Sequence, residues 1–193
     1  MDIFARVYDY VLKPFQWMGL ANLRRQLVAS ARGRVLEIGA GTGLNFEHYP
    51  QGIELIALEP DAIMLKRAAE RARDRGITLV EGTAEELPFP DNHFDSVVLS
   101  LVLCTVENPT EALREIRRVL RPGGKVFVLE HVRAPQRTLA GIQDLLTPIW
   151  RRVAGGCHLN RDTASTLAWE GYRITRSRRF YGGSLLLLEA YPR

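Results

Sequence analysis

A chain of 193 residues, 46% hydrophobic and 25% charged, has the make-up of one compact globular domain, which excludes disordered and collagen-like classes. The formal net charge of +4 is unevenly placed, with fourteen Lys/Arg against five Asp/Glu between Arg114 and Arg179. That excess suits an anionic membrane surface, an acidic substrate or a plain solvated face, but no basic strip with interleaved aromatics supports nucleic acid as a partner.

The first stretch, Met1–Leu27, reads as one or two helices with a broad apolar face that includes Phe4, Tyr8, Phe15 and Trp17, broken near Pro14. It fits either a lid over an active site, with Tyr8 touching substrate, or a helix lying in a membrane interface with Arg6 and Lys13 near the headgroups. Residues 1–30 are therefore assigned to this segment and 31–193 to the main domain. No apolar run is long enough to span a bilayer, and Asp2 and Arg6 interrupt the start where a cleaved signal peptide would be apolar. The expectation is a cytoplasmic monomer, with contact to the inner face of a membrane as the alternative.

Short apolar or β-branched runs follow at Arg34–Ile38, Glu54–Leu58, Thr78–Glu81, Ser96–Ser100 and Lys125–Glu130, with helical stretches at Asp61–Arg73 and Pro109–Leu120 between them. Such alternation predicts a mostly parallel sheet with helices on both faces. Asn108 is placed to cap the second helix, Pro109 takes its first position, and Glu111 stands where a capping-box acid belongs. Arg121-Pro122-Gly123-Gly124 ends that helix. Two more helices are expected at Gln136–Val153 and Arg161–Glu170, the latter capped by Asn160 or Asp162. The chain closes with strands Tyr172–Phe180 and Leu185–Tyr191, joined tightly enough for an antiparallel hairpin.

The most informative local feature is Glu37-Ile38-Gly39-Ala40-Gly41-Thr42-Gly43, a glycine-rich turn directly after the first strand. Its spacing is G-x-G-x-G, and Leu44 stands where a dinucleotide fingerprint needs its third glycine. Glu37 is a poor neighbour for a pyrophosphate but suits the cationic amino-acid end of S-adenosylmethionine, and Asn45 follows the loop closely enough to share that site. Glu59, at the end of the second strand, can accept hydrogen bonds from ribose hydroxyls, while Pro60 and Met64 can pack on an adenine. The segment Gly82–Pro90 resembles the G-D-A-x-x-L-P-F segment of class I methyltransferases. With Thr83 in place of its acid, adenine contact falls to Thr83, Ala84 or Glu85. Ser100 and Leu101, ending the fourth strand, complete the expected cofactor set.

In order and spacing these elements resemble the class I S-adenosylmethionine-dependent methyltransferases, which implies a Rossmann-like α/β fold of seven strands, mostly parallel with a C-terminal antiparallel hairpin. Four further segments carry a narrower likeness: Gly43–Pro50, Leu101–Val106, Leu129–Val132 and Gly156–Asp162. They resemble the methyltransferase-like family whose animal members are alkyl thiol S-methyltransferases. The resemblance implies a small hydrophobic acceptor, a thiol first. A phospholipid amine or a quinone carbon is the alternative within the class, and a non-catalytic cofactor-binding module the alternative outside it. Because a thiol reacts as its anion, a base is wanted, and His131 at the end of the fifth strand is the candidate catalytic residue. Tyr8, Leu103, Cys104, His131, His158 and Arg161 are the candidate substrate residues, with Arg161 alternatively paired to Asp162 or Glu130. The reaction needs no protein nucleophile, and Cys104 and Cys157 fit no zinc or redox spacing, so two free thiols and no metal are expected.

Overall fold

A computed structural model describes residues 19–193; the expectations for Met1–Met18, Tyr8 included, fall outside the described residues. The described elements are α1 (Ala21–Val28), β1 (Arg34–Ile38), β2 (Glu54–Glu59), α2 (Ala62–Ala72), β3 (Thr78–Glu81) and β4 (Phe94–Ser100). They continue with α3 (Pro109–Val119), β5 (Leu120–His131), α4 (Arg137–Val153), α5 (Thr163–Trp169), β6 (Tyr172–Phe180) and β7 (Leu185–Pro192). Among them seven strands form one sheet in the order β3-β2-β1-β4-β5-β7-β6. All neighbours are parallel except that β7 runs antiparallel to both β5 and β6.

The central strands are apolar on both faces because helices cover both. Leu20, Leu23, Leu27 and Val28 of the first helical segment join Ala68 and Ala72 of α2 against Val35, Val98 and Phe127. On the opposite face Leu113 and Ile116 of α3 and Leu167 of α5 pack on Leu36, Val97 and Val128. Successive residues such as Val35 and Leu36 thus serve opposite layers, as the period of a strand requires. The first helical segment thus lends one face, Leu20, Leu23, Leu27 and Val28, to this core.

The basic excess has a structural home. The outer strand β6 exposes Arg173, Arg176, Arg178 and Arg179, and charge on an edge strand discourages pairing with another chain.

Helix starts follow the predicted chemistry, with one exchange of roles. Asp61 caps α2 by accepting from Ile63 N (2.8 Å) and Met64 N (3.1 Å), and Asn108 caps α3 by accepting from Thr110 N and Glu111 N. The acid that receives the Asn108 amide, however, is Glu85 at 3.3 Å rather than Glu111. Asp162 rather than Asn160 caps α5, while Asn160 donates to Asp144. The segment Arg121–Gly124 is not a loop between helix and strand. It is the start of β5, where Leu120 pairs with Phe94, the register shifts, and Arg121 Nη1 bonds both oxygens of Asp95 at 2.8 and 2.9 Å.

Candidate active site

The C-terminal ends of β1, β2, β4 and β5 meet on one edge of the sheet, and the glycine loop lies there. Gly39, Gly41 and Gly43 have φ of +64°, +58° and +81°, values that L side chains rarely adopt. A Cβ at Gly39 would stand 2.6 Å from Val102 Cγ2, and one at Gly43 2.6 Å from the Phe46 ring, so space and conformation both require glycine. The loop is anchored by Ala40 N donating to Leu58 O (3.0 Å) and Gly41 N donating to Glu59 Oε2 (2.8 Å). Glu59 Oε1 accepts from Asp61 N at 3.0 Å. Each oxygen has one bond, and a carboxylate offers about four acceptor positions, so Glu59 can hold the loop and still accept from a ribose diol.

Beneath the loop runs a buried polar network. Glu37 Oε1 accepts from Asn45 Nδ2 at 2.7 Å, and Asn45 Oδ1 accepts from Arg24 Nη1 at 3.0 Å. The same Arg24 nitrogen donates to Ser100 Oγ at 2.8 Å. Arg24 is only 4% exposed. Burial pushes Glu37 up to about 7, against the opposing pull of Asn45 and Arg24. Arg24 Nε is a buried donor without a partner, and Glu37 Oε2 has only the neighbouring Tyr49 hydroxyl to interact with. Buried polar atoms left short of partners are costly unless a ligand supplies them. The amino-acid zwitterion of S-adenosylmethionine does so, with an ammonium for Glu37 and a carboxylate for Arg24. The residues present therefore fit this cofactor.

Sequence reasoning missed Arg24, although a signal existed. Leu20, Leu23, Arg24, Leu27 and Val28 share the i, i+3, i+4, i+7, i+8 stripe, so an arginine stands in the buried face of the helix.

The remaining cofactor candidates divide. Ser100 is buried against Arg24, Met64 and Ala84 are buried, and Thr83 and Pro60 are exposed. Leu101 has φ +62°, a strained conformation for a branched side chain, at the turn where β4 leaves the sheet. Glu85 has a structural role: its Oε1 accepts from Glu107 N (3.0 Å) and Asn108 N at the start of α3.

The acceptor side is organised by a residue the sequence offered only as a partner for Arg161. Glu130 is fully buried and takes three backbone amides, Val102 N and Leu103 N on Oε1 (2.7 and 2.8 Å) and Cys104 N on Oε2 (3.2 Å). Burial raises its pKa to about 7 even though those amides favour the carboxylate. Leu103 is 1% exposed in the core, where with Arg161 it lines a small cavity. Arg161 bonds neither Asp162 nor Glu130; its Nη1 donates to the Leu103 carbonyl. His158 likewise clasps the segment, its backbone N donating to Cys104 O at 2.7 Å with Nδ1 3.1 Å from the same oxygen.

The two cysteines that looked unrelated are neighbours, with Cys157 Sγ 3.5 Å from Cys104 Sγ and 3.3 Å from His131 Nδ1. Both are free thiols, and a separation of 53 positions hid their contact from spacing rules. Cys104 and His131 together favour the Cys157 thiolate, while the Cys104 thiol is pushed up by Cys157 and burial. Burial opposes charge on His131, but Cys157 and Glu130 outweigh it and raise its pKa above the usual imidazole range.

Comparison with known proteins agrees with this geometry. The methyltransferase domain family matches residues 36–128. Human thiol S-methyltransferase TMT1A is 35% identical over 170 residues, covering 85% of this chain and 70% of that protein. Rat thiol S-methyltransferase TMT1B is 38% identical over 135 residues, 67% of this chain, and the matched chain spans only 55% of that relative's length. The demethylmenaquinone methyltransferase of Renibacterium salmoninarum is 42% identical over 67% of this chain and 56% of that protein. An S-adenosylmethionine-dependent methyltransferase structure from Thermotoga maritima superposes with a TM-score of 0.73 at 24% identity, covering 100% of this chain and 99% of that one.

Fold and site thus define the class I methyltransferase fold, with residues at the glycine loop that fit S-adenosylmethionine. Within that class, the chain belongs to the family of the thiol S-methyltransferases TMT1A and TMT1B.

Proposed function

We propose that the enzyme transfers a methyl group to the sulfur of a small, apolar thiol. The observation that carries this is His131, a largely buried imidazole at the end of β5 on the same sheet edge as the cofactor loop, with Nδ1 3.3 Å from Cys157 Sγ. A thiol titrates near 8.5 and reacts as thiolate, and the neutral imidazole is the base that can take its proton. S-adenosylmethionine, when bound, supplies the electrophilic methyl group and a neutral leaving sulfur. The protein's task is alignment and exclusion of water, since in-line displacement needs no covalent enzyme intermediate. Glu37, Asn45 and Arg24 orient the amino-acid end, Glu59 steadies the loop and the ribose, and Glu130 holds the segment between the two half-sites. The relatives named for quinone methylation make a ring carbon the second reading.

A turnover assay across thiol, quinol and phospholipid acceptors, reading S-adenosylhomocysteine, tests the proposal. The thiol is expected to turn over fastest, and a quinol preferred over every thiol would overturn it. His131→Ala should lower kcat about 100-fold with thiol while cofactor affinity changes little, and rate profiles identical from pH 6 to 9 would remove His131 as the base.

A further inference from the structure

Cys104, His131 and Cys157 arrive from three separate stretches, the turn after β4, the end of β5 and the loop after α4. Their donor atoms all lie within 4.8 Å of one another, with Sγ–Sγ at 3.5 Å and Cys157 Sγ–His131 Nδ1 at 3.3 Å. Cysteine was expected to be inert here, and S-methylation requires no protein thiol. We propose that these three side chains form a binding site for one zinc ion, with the fourth coordination position left open.

Two of the three separations are close to what that ion needs, and the third, Cys104 Sγ to His131, lies within 4.8 Å and must close on loading. A tetrahedral site with Zn–S near 2.3 Å and Zn–N near 2.0–2.1 Å separates its sulfurs by roughly 3.8 Å and sulfur from nitrogen by roughly 3.5 Å. The two close contacts need to open by only a few tenths of an ångström, which side-chain rotation supplies. Two thiolates and an imidazole select a soft or borderline cation over magnesium or calcium. Three protein ligands with an open position is the arrangement of zinc sites that act on a bound group.

The supporting shell is already in place. Glu130 holds the Cys104 amide, His158 the Cys104 carbonyl, and Arg161 the Leu103 carbonyl. Cys157 N donates to Ala154 O at 3.2 Å. Trp150 Nε1, a buried donor, already lies within reach of Cys157 Sγ and can support a metal-bound thiolate there. His131 keeps some exposure and gives an ion its way in. Loading breaks the S–H bonds of the thiols that are protonated and forms two Zn–S bonds, with the protons passing to buffer and neutral His131 binding through the Nδ1 lone pair.

The site stands without any particular acceptor. Its consequence for catalysis rests on the thiol reading: an acceptor sulfur in the open position would lose its proton to coordination, and His131 would then be a ligand in place of a base.

The test uses the full reduced chain. Metal analysis after equilibration with zinc should give about one ion per chain, and cobalt substitution should give thiolate-to-metal charge-transfer bands with the intense d–d bands of a tetrahedral site. Cys157→Ser and His131→Gln should each weaken zinc at least ~100-fold while S-adenosylmethionine affinity and circular dichroism stay as in the parent. A folded, reduced protein with no cobalt–thiolate bands overturns the proposal, as does a Cys104–Cys157 disulfide formed in air by a protein that binds no metal when reduced. Unchanged thiol turnover in zinc-free enzyme would overturn metal activation while leaving thiol methylation intact. Zinc binding without thiol turnover would overturn the thiol reading and the metal activation that rests on it, while leaving the zinc site intact.

Discussion

The cofactor half and the acceptor half of the site are built in contrasting ways. Around the glycine loop the bonds are mostly short in sequence: Asn45 reaches Glu37 across 8 positions and Gly41 reaches Glu59 across 18. On the acceptor side Leu103 is held by Arg161 across 58 positions, Cys104 by His158 across 54, and Val102 by Glu130 across 28. One half is a motif carried by consecutive strands of a parallel sheet. The other is a clasp in which α4 and its following loop return over the ends of β4 and β5. The difference teaches where each half is vulnerable: the first to a change in backbone conformation, the second to loss of a buried polar partner.

The largest effect should follow from breaking the cofactor half at its backbone. Gly41→Arg forces a side chain onto φ +58° in a loop whose amide bonds Glu59. Calorimetry should find S-adenosylmethionine binding abolished, at least ~1,000-fold, in a protein that still shows a cooperative melt. Retained affinity would mean that the loop does not hold the cofactor.

Next is Arg24→Met, which removes the bonds to Asn45, 21 positions away, and Ser100, 76 positions away, and leaves both without that buried donor. Cofactor affinity is expected to fall roughly 30- to 100-fold, and Arg24→Lys should recover only part of it because an ammonium lacks the guanidinium fork. If Arg24→Met binds as tightly as the parent, the orphaned Nε does not face the methionine carboxylate.

The third effect depends on pH. Glu37 is raised from the ordinary 4.5 to about 7, so the folded apoprotein holds a proton that the unfolded chain has released in that window. Stability contributed by the neutral form is present below about 4.5, falls as pH rises to about 7, and is level above it. Over that span Glu37 accounts for about 3 kcal/mol at most. Glu37→Gln should flatten this slope, leaving the share due to Glu130. An ammonium beside Glu37 favours the carboxylate, so cofactor binding near pH 6.5 should release a proton, visible as a buffer-dependent binding enthalpy. A heat independent of buffer would show that Glu37 does not meet the ammonium.

The same contrast explains what could be read before the structure. Strand and helix positions came through well: β1, β3 and β6 lie where the residue patterns place them, and the antiparallel end of the sheet follows from the tight Tyr181–Ser184 connection. Gly39, Glu59 and the cap Asn108 were legible because their chemistry is local, whereas the cap role of Asp61, read only as the start of a helical stretch, emerges from its bonds to Ile63 N and Met64 N. Arg24 was overlooked because arginine is usually read as surface, although its place in an apolar stripe marks it as buried. The Cys104–Cys157 contact was not legible, since only the path of α4 brings the two thiols together. Glu130 is a plain strand residue until the three amides it holds are seen.

The smallest effect concerns the residue that crossed from one half's expected inventory into the other's scaffolding. As a cofactor contact, Glu85 would cost binding when removed. As found, its carboxylate receives Glu107 N and Asn108 N, where α3 begins. Glu85→Ala should therefore cost about 1 kcal/mol of stability, the usual worth of a lost helix-start interaction, by leaving two amides to water. The lost charge near the positive end of the helix dipole adds a few tenths of a kcal/mol. S-adenosylmethionine affinity should stay within about twofold of the parent, because those amides belong to the segment before α3 rather than to the glycine loop. A chemical melt and a titration on the same preparation separate the two roles. A tenfold loss of affinity with an unchanged melt would return Glu85 to the adenine, and the reverse pattern fixes it as the outside half of the α3 cap.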